Sequence, residues 1–149
     1  MLLRPPRADE GPALTELCLR SKASHGYDEI FIEACRAELT VDPLQPHLVV
    51  AELEGVPVGM AEISATGTEA ELKKLFVEQH LQGKGLGRTL FEWAKAEAMK
   101  CGARVLVFDA DPGAVAFYEK MGAVIVGRSP SGSIPGRFLP RLQLQLGTA

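Results

Sequence analysis

A glycine-rich segment, HLQGKGLGRTL from His80 to Leu90, separates strand-like runs from a helical one. Before it, HLVVAEL, VGMAEISAT and EAELKKLFV have the length and apolar content of strands, and the turn-like EGVP joins the first two. After it, apolar residues recur at helical spacing: Leu86, Leu90, Trp93, Ala94, Ala98 and Cys101. Gly102 stands where a helix commonly ends. The segment therefore predicts where an antiparallel meander gives way to an amphipathic helix.

Two helices are predicted before the meander. LLRP indicates a short first strand, and Asp9, Glu10 and Pro12 supply a cap, an early acid and a proline for a helix to about Lys22. EIFIEACRAEL predicts a second helix, whose apolar stripe is made by Ile30, Ala34 and Ala37 and widened by Phe31, Cys35 and Leu39.

The last third of the chain continues the alternation of strands and helices. ARVLVFD predicts a buried strand, PGAVAFYEKM a short helix closed by Gly122, and AVIVG another strand. The loop SPSGSIPGRFLP precedes a final strand, PRLQLQL. With 149 residues and 46% hydrophobic content, the chain is expected to form one domain over residues 1–149, because it is too short for two ordinary cores.

Composition excludes several classes of function. The formal net charge of −3 provides no broad positive field for nucleic acid or for an anionic membrane, so an anion site has to be local. No signal peptide or membrane span is apparent, and a cytoplasmic protein is expected. Three dispersed cysteines and three dispersed histidines predict reduced thiols and no metal site.

Residues 82–88, the glycine loop, open the long helix. Unpaired N–H groups and the helix dipole favour a phosphate there, and glycine lets the main chain approach it. The alternative is a plain turn with solvated Lys84 and Arg88. A P-loop is excluded because Glu78 and Gly85 occupy positions that need glycine and Ser or Thr, and a dinucleotide fingerprint fails because its third glycine would fall on Arg88 or Leu90.

Two motifs together indicate a family. Gln82-x-x-Gly85-x-Gly87, placed after a strand and opening a helix, resembles the acyl-CoA pyrophosphate loop of the GNAT superfamily of N-acetyltransferases. DPGAVAFYEKMGA, from Asp111 to Ala123, resembles the later motif of the same family. The resemblance covers nearly the whole chain and is weakest in the first forty-odd residues. It implies an α/β (α+β) fold with a mixed, mostly antiparallel sheet of six to seven strands and about four flanking helices.

The resemblance also implies roles for residues. The main chain of Leu75, Phe76 and Val77 would bind the pantetheine arm of acetyl-CoA, as an added strand does at a sheet edge. The pyrophosphate would lie on the glycine loop, made of Gln82, Gly83, Lys84, Gly85, Leu86, Gly87 and Arg88. The later motif would add three cofactor contacts: Asp111, Ala114 and Phe117.

Catalytic roles follow from the same resemblance. The Leu75 N–H would polarise the acyl carbonyl, and Tyr118 would protonate the leaving thiolate. The alternative for Tyr118 is simple packing, because it lies on an apolar helical stripe. Glu71 occupies the position of a general base in some members, with ordered water or Glu62 as alternatives.

Acceptor recognition is less specified. His25 and Tyr27, between the first two helices, are candidate substrate contacts. Asp111 stands where the family often has asparagine, so a contact that needs an amide donor is in doubt, and Asp111 before Pro112 also fits a helix cap.

The sequence thus predicts an acyltransferase that moves acetyl from acetyl-CoA to a primary amine by direct attack in a ternary complex. The acceptor would be a small molecule or a peptide. One alternative is a non-catalytic acyl-CoA-binding or sensing module, and another is a small protein-interaction domain. The oligomeric state is open, with a homodimer through the edge of the final strand as one option.

Overall fold

The computed structural model of the chain describes residues 1–147. Seven strands within this range form one sheet: β1 (Leu2–Arg4), β2 (Leu48–Leu53), β3 (Val56–Thr66), β4 (Glu69–Val77), β5 (Val105–Asp109), β6 (Val124–Pro130) and β7 (Phe138–Gln145). Five α-helices accompany them: α1 (Gly11–Ala23), α2 (Glu29–Ala34), α3 (Arg36–Leu39), α4 (Leu86–Lys100) and α5 (Val115–Lys120). Short 3-10 turns, Gln79–Leu81 and Pro112–Ala114, precede α4 and α5.

The sheet has the order β1-β2-β3-β4-β5-β7-β6. Neighbouring strands are antiparallel except β4 and β5, which are parallel. Both faces are covered, because alternate residues of β2 enter opposite hydrophobic clusters: Val50 packs with Leu14 of α1, and Ala51 packs with Leu90 of α4. The predicted mixed, mostly antiparallel sheet is confirmed at seven strands.

The parallel pair β4 and β5 separates soon after it begins. Pairing is confined to residues 69–71 with residues 105–107, although β4 continues to Val77 and β5 to Asp109. The two strands therefore leave an opening, called the sheet gap here, between residues 72–77 and residues 108–109. One edge of a central strand is thereby freed in the middle of the sheet.

A β-bulge lies beside the sheet gap. Glu62 of β3 pairs with Lys74 and Ile63 pairs with Leu72, so Lys73 is the additional residue. Beyond the bulge, the N–H of Glu78 donates to Val58. Since residues of an antiparallel strand alternate between bonding a given neighbour and facing away from it, the Leu75 and Val77 main-chain groups face the sheet gap.

The second predicted helix is wrong as a continuous element. The chain bends at Cys35 and divides the segment into α2 and α3. Ile30 is 83% exposed and Ala34 is also exposed, whereas Cys35 and Leu39 are buried in the cluster with α1. Because the helix breaks at Cys35, the buried face contains Cys35 and Leu39, which were predicted at the margin of the apolar stripe, and does not contain Ile30.

The N-terminus of α1 also differs from expectation. Glu10, not Asp9, precedes the helix, and no side chain caps it, although proline stands in the first turn as predicted. The Glu10 carboxylate instead accepts hydrogen bonds from Arg4 Nη1 and Nη2 at 2.8 and 2.7 Å and from the Arg7 N–H at 2.7 Å. Hydrogen bonding from Arg4 lowers the pKa of Glu10 to about 2, burial opposes the shift, and the Arg7 N–H adds to it.

Glu10→Gln should therefore destabilise the protein in a pH-dependent way. A carboxylate whose pKa is lower in the folded state stabilises it above the unfolded value, about 4.3, and loses that contribution as the pH falls toward 2. At pH 7 we expect a loss of about 2 kcal/mol in the free energy of unfolding, since solvent access reduces the full effect of the pKa shift.

Urea unfolding at several pH values measures this effect. Glu16→Gln is the matched control, because Glu16 pairs with Arg36 at 2.7 Å with half of its side chain exposed and should contribute less than about 1 kcal/mol. A Glu10→Gln difference that persisted unchanged between pH 7 and pH 3 would contradict this assignment.

The predicted dimer edge is wrong in its location. The final strand, β7, lies between β5 and β6, and β6 is the edge strand. This follows from the hairpin between β6 and β7, in which the later strand fills the place next to β5.

Within residues 1–147, no helix combines the length and apolar character needed to cross a bilayer.

Candidate active site

Two adjoining cavities open at the sheet gap. The loop cavity, about 430 Å³, lies between β4, the glycine loop and the start of α5. The strand cavity, about 290 Å³, lies along β4 beneath the loop that follows α1. Five residues line both: Ser21, His25, Leu75, Ala114 and Tyr118. A molecule extending through the loop cavity would therefore have one end at the strand cavity.

The glycine loop has the conformation that its sequence predicts. Gly83 and Gly85 have φ of 78° and 89°, a left-handed backbone conformation that residues other than glycine rarely adopt. Gly85 immediately precedes α4, so the free N–H groups and positive dipole end of a 15-residue helix meet the loop cavity. A Cβ on Gly87 would come within 3.4 Å of the Phe117 ring. The loop can hold an anion and is packed closely against α5.

Side-chain hydrogen bonds fix the loop to the end of β4. The Gln82 amide donates to the Val77 carbonyl at 3.2 Å and to Ser24 Oγ at 3.1 Å. The Val77 N–H, facing the sheet gap, lies 3.4 Å from Ser21 Oγ. Thus Ser21 of α1 contacts the freed strand edge, and Ser24, directly after α1, contacts the loop.

Tyr118 lies where the two cavities meet. It is 8% exposed and packs among Phe91, Phe108 and Phe117, with ring centroids 4.6 to 5.5 Å away. Within residues 1–147 the Tyr118 hydroxyl has no hydrogen-bond partner. Every fully enclosed side-chain nitrogen or oxygen in that range does have one, so the Tyr118 hydroxyl is not fully enclosed and faces the cavity. Burial raises its pKa, which keeps the phenol protonated at neutral pH.

Acidic side chains line the strand cavity. Glu71, where β4 and β5 separate, is 36% exposed and lies 3.2 Å from Lys73 Nζ and 3.5 Å from Arg141 Nη2. Asp109, at the end of β5, receives a 2.9 Å hydrogen bond from Arg141. Glu62, the alternative base, is 8% exposed, pairs with Lys74 and does not line the cavity. Of the two predicted bases, Glu71 and Glu62, only Glu71 could contact a molecule in the strand cavity.

Asp111 joins three segments at the wall of the strand cavity. Its side chain, 9% exposed, accepts hydrogen bonds from Tyr27 Oη at 2.7 Å, Lys22 Nζ at 3.2 Å and the Gly113 N–H at 2.9 Å. Arg137 Nη2 lies 3.6 Å away. Burial alone would raise the pKa of Asp111, but the hydrogen bonds from Tyr27 and Gly113, together with the Lys22 charge, lower it. The predicted helix cap is present, and the carboxylate also balances two cations.

Tyr27 is held by this cluster and does not line either cavity. Its hydroxyl accepts from Arg137 Nη2 at 2.6 Å, and its ring stacks on Phe31 at a centroid distance of 4.0 Å. Burial, with the hydrogen bond to Asp111, raises the pKa of Tyr27 to about 12. Of the two predicted acceptor contacts, His25 lines both cavities and Tyr27 supports the wall behind it.

Asp111→Asn should destabilise the fold. Asparagine keeps the acceptor for the Gly113 N–H, but it leaves Lys22 and Arg137 without their carboxylate in a largely buried place. We expect a loss of about 2 to 3 kcal/mol in the free energy of unfolding at pH 7. Asp109→Asn is the control, because its partner Arg141 stays close to Glu71 and the expected loss is below about 1 kcal/mol. Equal losses in the two variants, measured by thermal unfolding, would contradict the role given to the cluster.

The predicted cofactor residues fall into three groups. Most line the loop cavity: Leu75, Val77, Gln82, Gly83, Gly85, Gly87, Arg88, Ala114 and Phe117. Phe76 and Asp111 line only the strand cavity, as does Glu71 among the predicted catalytic residues. Leu86 points into the core and Lys84 lines neither cavity. Sequence reasoning missed Ser21, Lys22 and Arg137. Arg137 belongs to the predicted loop SPSGSIPGRFLP, and its contact with Tyr27 depends on how distant segments pack.

Comparison with known proteins identifies this arrangement. Residues 13–123 match the acetyltransferase (GNAT) family. The chain is also 31% identical over 145 residues to the peptidyl-lysine N-acetyltransferase YjaB of Salmonella typhimurium, with 95% of each chain covered. The chain belongs to the GNAT family of acetyltransferases. The family and the acetyltransferase activity predicted from the sequence are confirmed.

Solved structures show the same GNAT fold. A GCN5-related N-acetyltransferase from Rhodopseudomonas palustris superposes with a TM-score of 0.80 at 25% identity, over 97% of this chain and 95% of that one. The PaiA N-acetyltransferase of Thermoplasma acidophilum, solved with coenzyme A, gives a TM-score of 0.77 at 18% identity, over 97% and 98% of the two chains.

Proposed function

We propose that this GNAT protein transfers the acetyl group of acetyl-CoA to the side-chain amine of a peptidyl lysine. The observation that carries the proposal is the junction of the two cavities at Leu75 and Tyr118, beside a glycine loop that opens a long helix. The donor would enter through the loop cavity and the acceptor through the strand cavity, so that thioester and amine meet between them.

The donor is held mainly by main-chain groups in this proposal. The pyrophosphate lies on the N–H groups of residues 83–88, with Arg88 adding charge. The pantetheine arm runs along the sheet gap, where the Leu75 and Val77 main-chain groups face it and would bond it as an added strand does. The Val77 N–H then exchanges its 3.4 Å contact with Ser21 for a pantetheine oxygen.

The chemistry proceeds by direct attack. The Leu75 N–H polarises the thioester carbonyl, and Glu71 takes the proton of the acceptor ammonium, directly or through water. The neutral amine forms a bond to the carbonyl carbon, the C–S bond breaks, and Tyr118 gives the thiolate its proton. The second proton lost by the nitrogen, passed through water, restores the Tyr118 hydroxyl. Packing of the Tyr118 ring against three phenylalanines fixes the direction of that hydroxyl.

A lysine acceptor agrees with the charges of the strand cavity and with the relative from Salmonella. The cavity is lined by carboxylates and by lysines, and the Glu71 carboxylate is paired with Lys73 in an exposed ion pair that an incoming ammonium group can replace. The YjaB relative is named a peptidyl-lysine N-acetyltransferase. At about 290 Å³ the cavity is also smaller than most ligand pockets, a size that suits one side chain better than a bulky acceptor.

Thermal unfolding and a thiol-release assay test the proposal. Saturating acetyl-CoA should raise Tm, because a ligand that binds only the folded state stabilises it. Lysine-containing peptides should then release CoA thiol faster than polyamines, aminoglycosides or free amino acids. Absence of a Tm shift would exclude donor binding, a shift without thiol release would favour a sensing module, and release only with another amine class would change the acceptor.

The setting and assembly form a further part of the proposal. The free cysteines Cys18, Cys35 and Cys101 suit a reducing compartment, the cytoplasm. A homodimer would pair through β6, whose Val124, Ile125 and Val126 are each more than half exposed at the sheet edge. Light scattering of the purified protein, with Ile125→Lys as the variant expected to be monomeric, tests the assembly.

A further inference from the structure

Three lysines of the chain line the strand cavity, and they are not equivalent. Lys22 is held by Asp111 at 3.2 Å, with its side chain 14% exposed. Lys74 pairs with Glu62 and is 11% exposed. Lys73 is 47% exposed and occupies the β-bulge. Lys73 therefore has the most accessible of the three amines.

The Lys73 amine already lies beside the proposed base. Its Nζ is 3.2 Å from Glu71 Oε1, the contact that an acceptor ammonium would make before losing its proton. An exposed ion pair of this kind is weak and is readily exchanged for other contacts. The side chain can therefore give a proton to Glu71 and then leave that contact.

The proposed thioester site is within reach of this amine. Lys73 and Leu75 line the same cavity and are two residues apart on β4, which at about 3.3 Å per residue is about 7 Å along the strand. A lysine side chain spans about 6 Å on a flexible four-carbon stem. The Lys73 side chain is therefore long enough to bring Nζ near a carbonyl carbon held by the Leu75 N–H once it turns from Glu71 toward Leu75.

We propose that Lys73 is an intramolecular acceptor, so that the protein acetylates itself at this residue. The inference rests on the proposed acetyl transfer and adds a modification site to it. The Lys73 ammonium gives one proton to Glu71, its nitrogen bonds to the acetyl carbon, and the C–S bond breaks as Tyr118 protonates the sulfur. The second proton lost by the nitrogen restores the Tyr118 hydroxyl, so that CoA leaves as the thiol. The products are Nε-acetyl-Lys73, CoA and one proton released to solvent.

Self-acetylation would limit the entry of other acceptors. The acetylated side chain has no charge and cannot pair with Glu71. It is also longer than lysine and projects into a cavity of about 290 Å³. The modified protein should therefore release thiol from acetyl-CoA and an external amine more slowly than the unmodified protein.

Mass spectrometry of the full chain incubated with acetyl-CoA and no acceptor tests the proposal. Lys73 should gain one acetyl group at least about tenfold faster than the exposed Lys100 and Lys120, because proximity raises the effective concentration of its amine. The rate should not change on dilution of the protein, as expected of a reaction within one chain. Lys73→Arg should lose this modification and leave slow labelling elsewhere, and Tyr118→Phe should slow the labelling of Lys73 alone.

The outcomes separate this inference from the proposed function. Thiol release with an external amine, but no preferential labelling of Lys73, would overturn the inference and leave the function standing. Labelling that rises with protein concentration, or that is uniform over exposed lysines, would also overturn it. Absence of both acetyl-CoA binding and thiol release would remove the two together.

Discussion

Tyr118→Phe should lower kcat by about 100-fold, at the lower end of what a positioned general acid contributes. The substitution removes one oxygen and leaves the ring among Phe91, Phe108 and Phe117, so folding and donor binding should be retained. Because burial raises the pKa of Tyr118, the wild-type phenol stays protonated at and above neutral pH and can supply a proton throughout that range. Steady-state thiol release measures kcat, and the Tm shift with acetyl-CoA reports binding.

The other tyrosine of the chain provides the matched control. Tyr27→Phe also removes a hydroxyl near the site, but that hydroxyl is bonded to Asp111 and Arg137 and lines neither cavity. It should reduce stability by about 1 to 2 kcal/mol with a much smaller change in kcat. If Tyr118→Phe kept the wild-type kcat, or if the two variants lost the same fraction of it, Tyr118 would have only a packing role.

Gly85→Asp should abolish most of the donor affinity. The residue precedes α4 at φ 89°, in open space at the loop cavity, so a carboxylate there would face the proposed pyrophosphate site. Repulsion between like charges a few ångströms apart near a protein surface costs about 2 to 4 kcal/mol, which corresponds to an affinity loss of about 30- to 1000-fold. Isothermal titration with CoA measures the loss.

Gly85→Asn separates charge from shape. Asparagine has the size of aspartate, and both tolerate left-handed backbone better than other residues except glycine. We expect Gly85→Asn to bind CoA at least about tenfold more tightly than Gly85→Asp, and the difference to shrink at high salt. Equal affinities of the two variants would mean that the phosphates lie elsewhere.

Local patterns predicted the elements and the glycine loop because they depend on neighbouring residues. Three apolar runs predict the meander. Gly102 and Gly122 follow the ends of α4 and α5 and have the positive φ expected there. The prediction of one helix from Glu29 to Leu39 is wrong because the helical period does not continue through Cys35. There the chain packs against α1 and forms two short helices. Packing decided that element, and the pattern alone could not.

Contacts between distant segments were beyond sequence reasoning. Arg137 bonds Tyr27 across 110 positions, and Tyr27 bonds Asp111 across 84. The aspartate was noted as a departure from the family pattern, and the structure gives its reason, since an amide could not balance Lys22 and Arg137. Similarly, the prediction that the final strand lies at the sheet edge is wrong because the order of strands in the sheet differs from their order along the chain.

The short pairing of β4 with β5 has a consequence for the amount of folded protein in a cell. Only three residues of each strand join the two halves of the sheet directly, so a donor lying in the opening would complete that junction with its own amides. A molecule that bridges both halves raises the work needed to open them in proportion to the logarithm of its concentration. Through that linkage, the acetyl-CoA supply would influence how long each copy of this enzyme survives proteolysis as well as how fast it works.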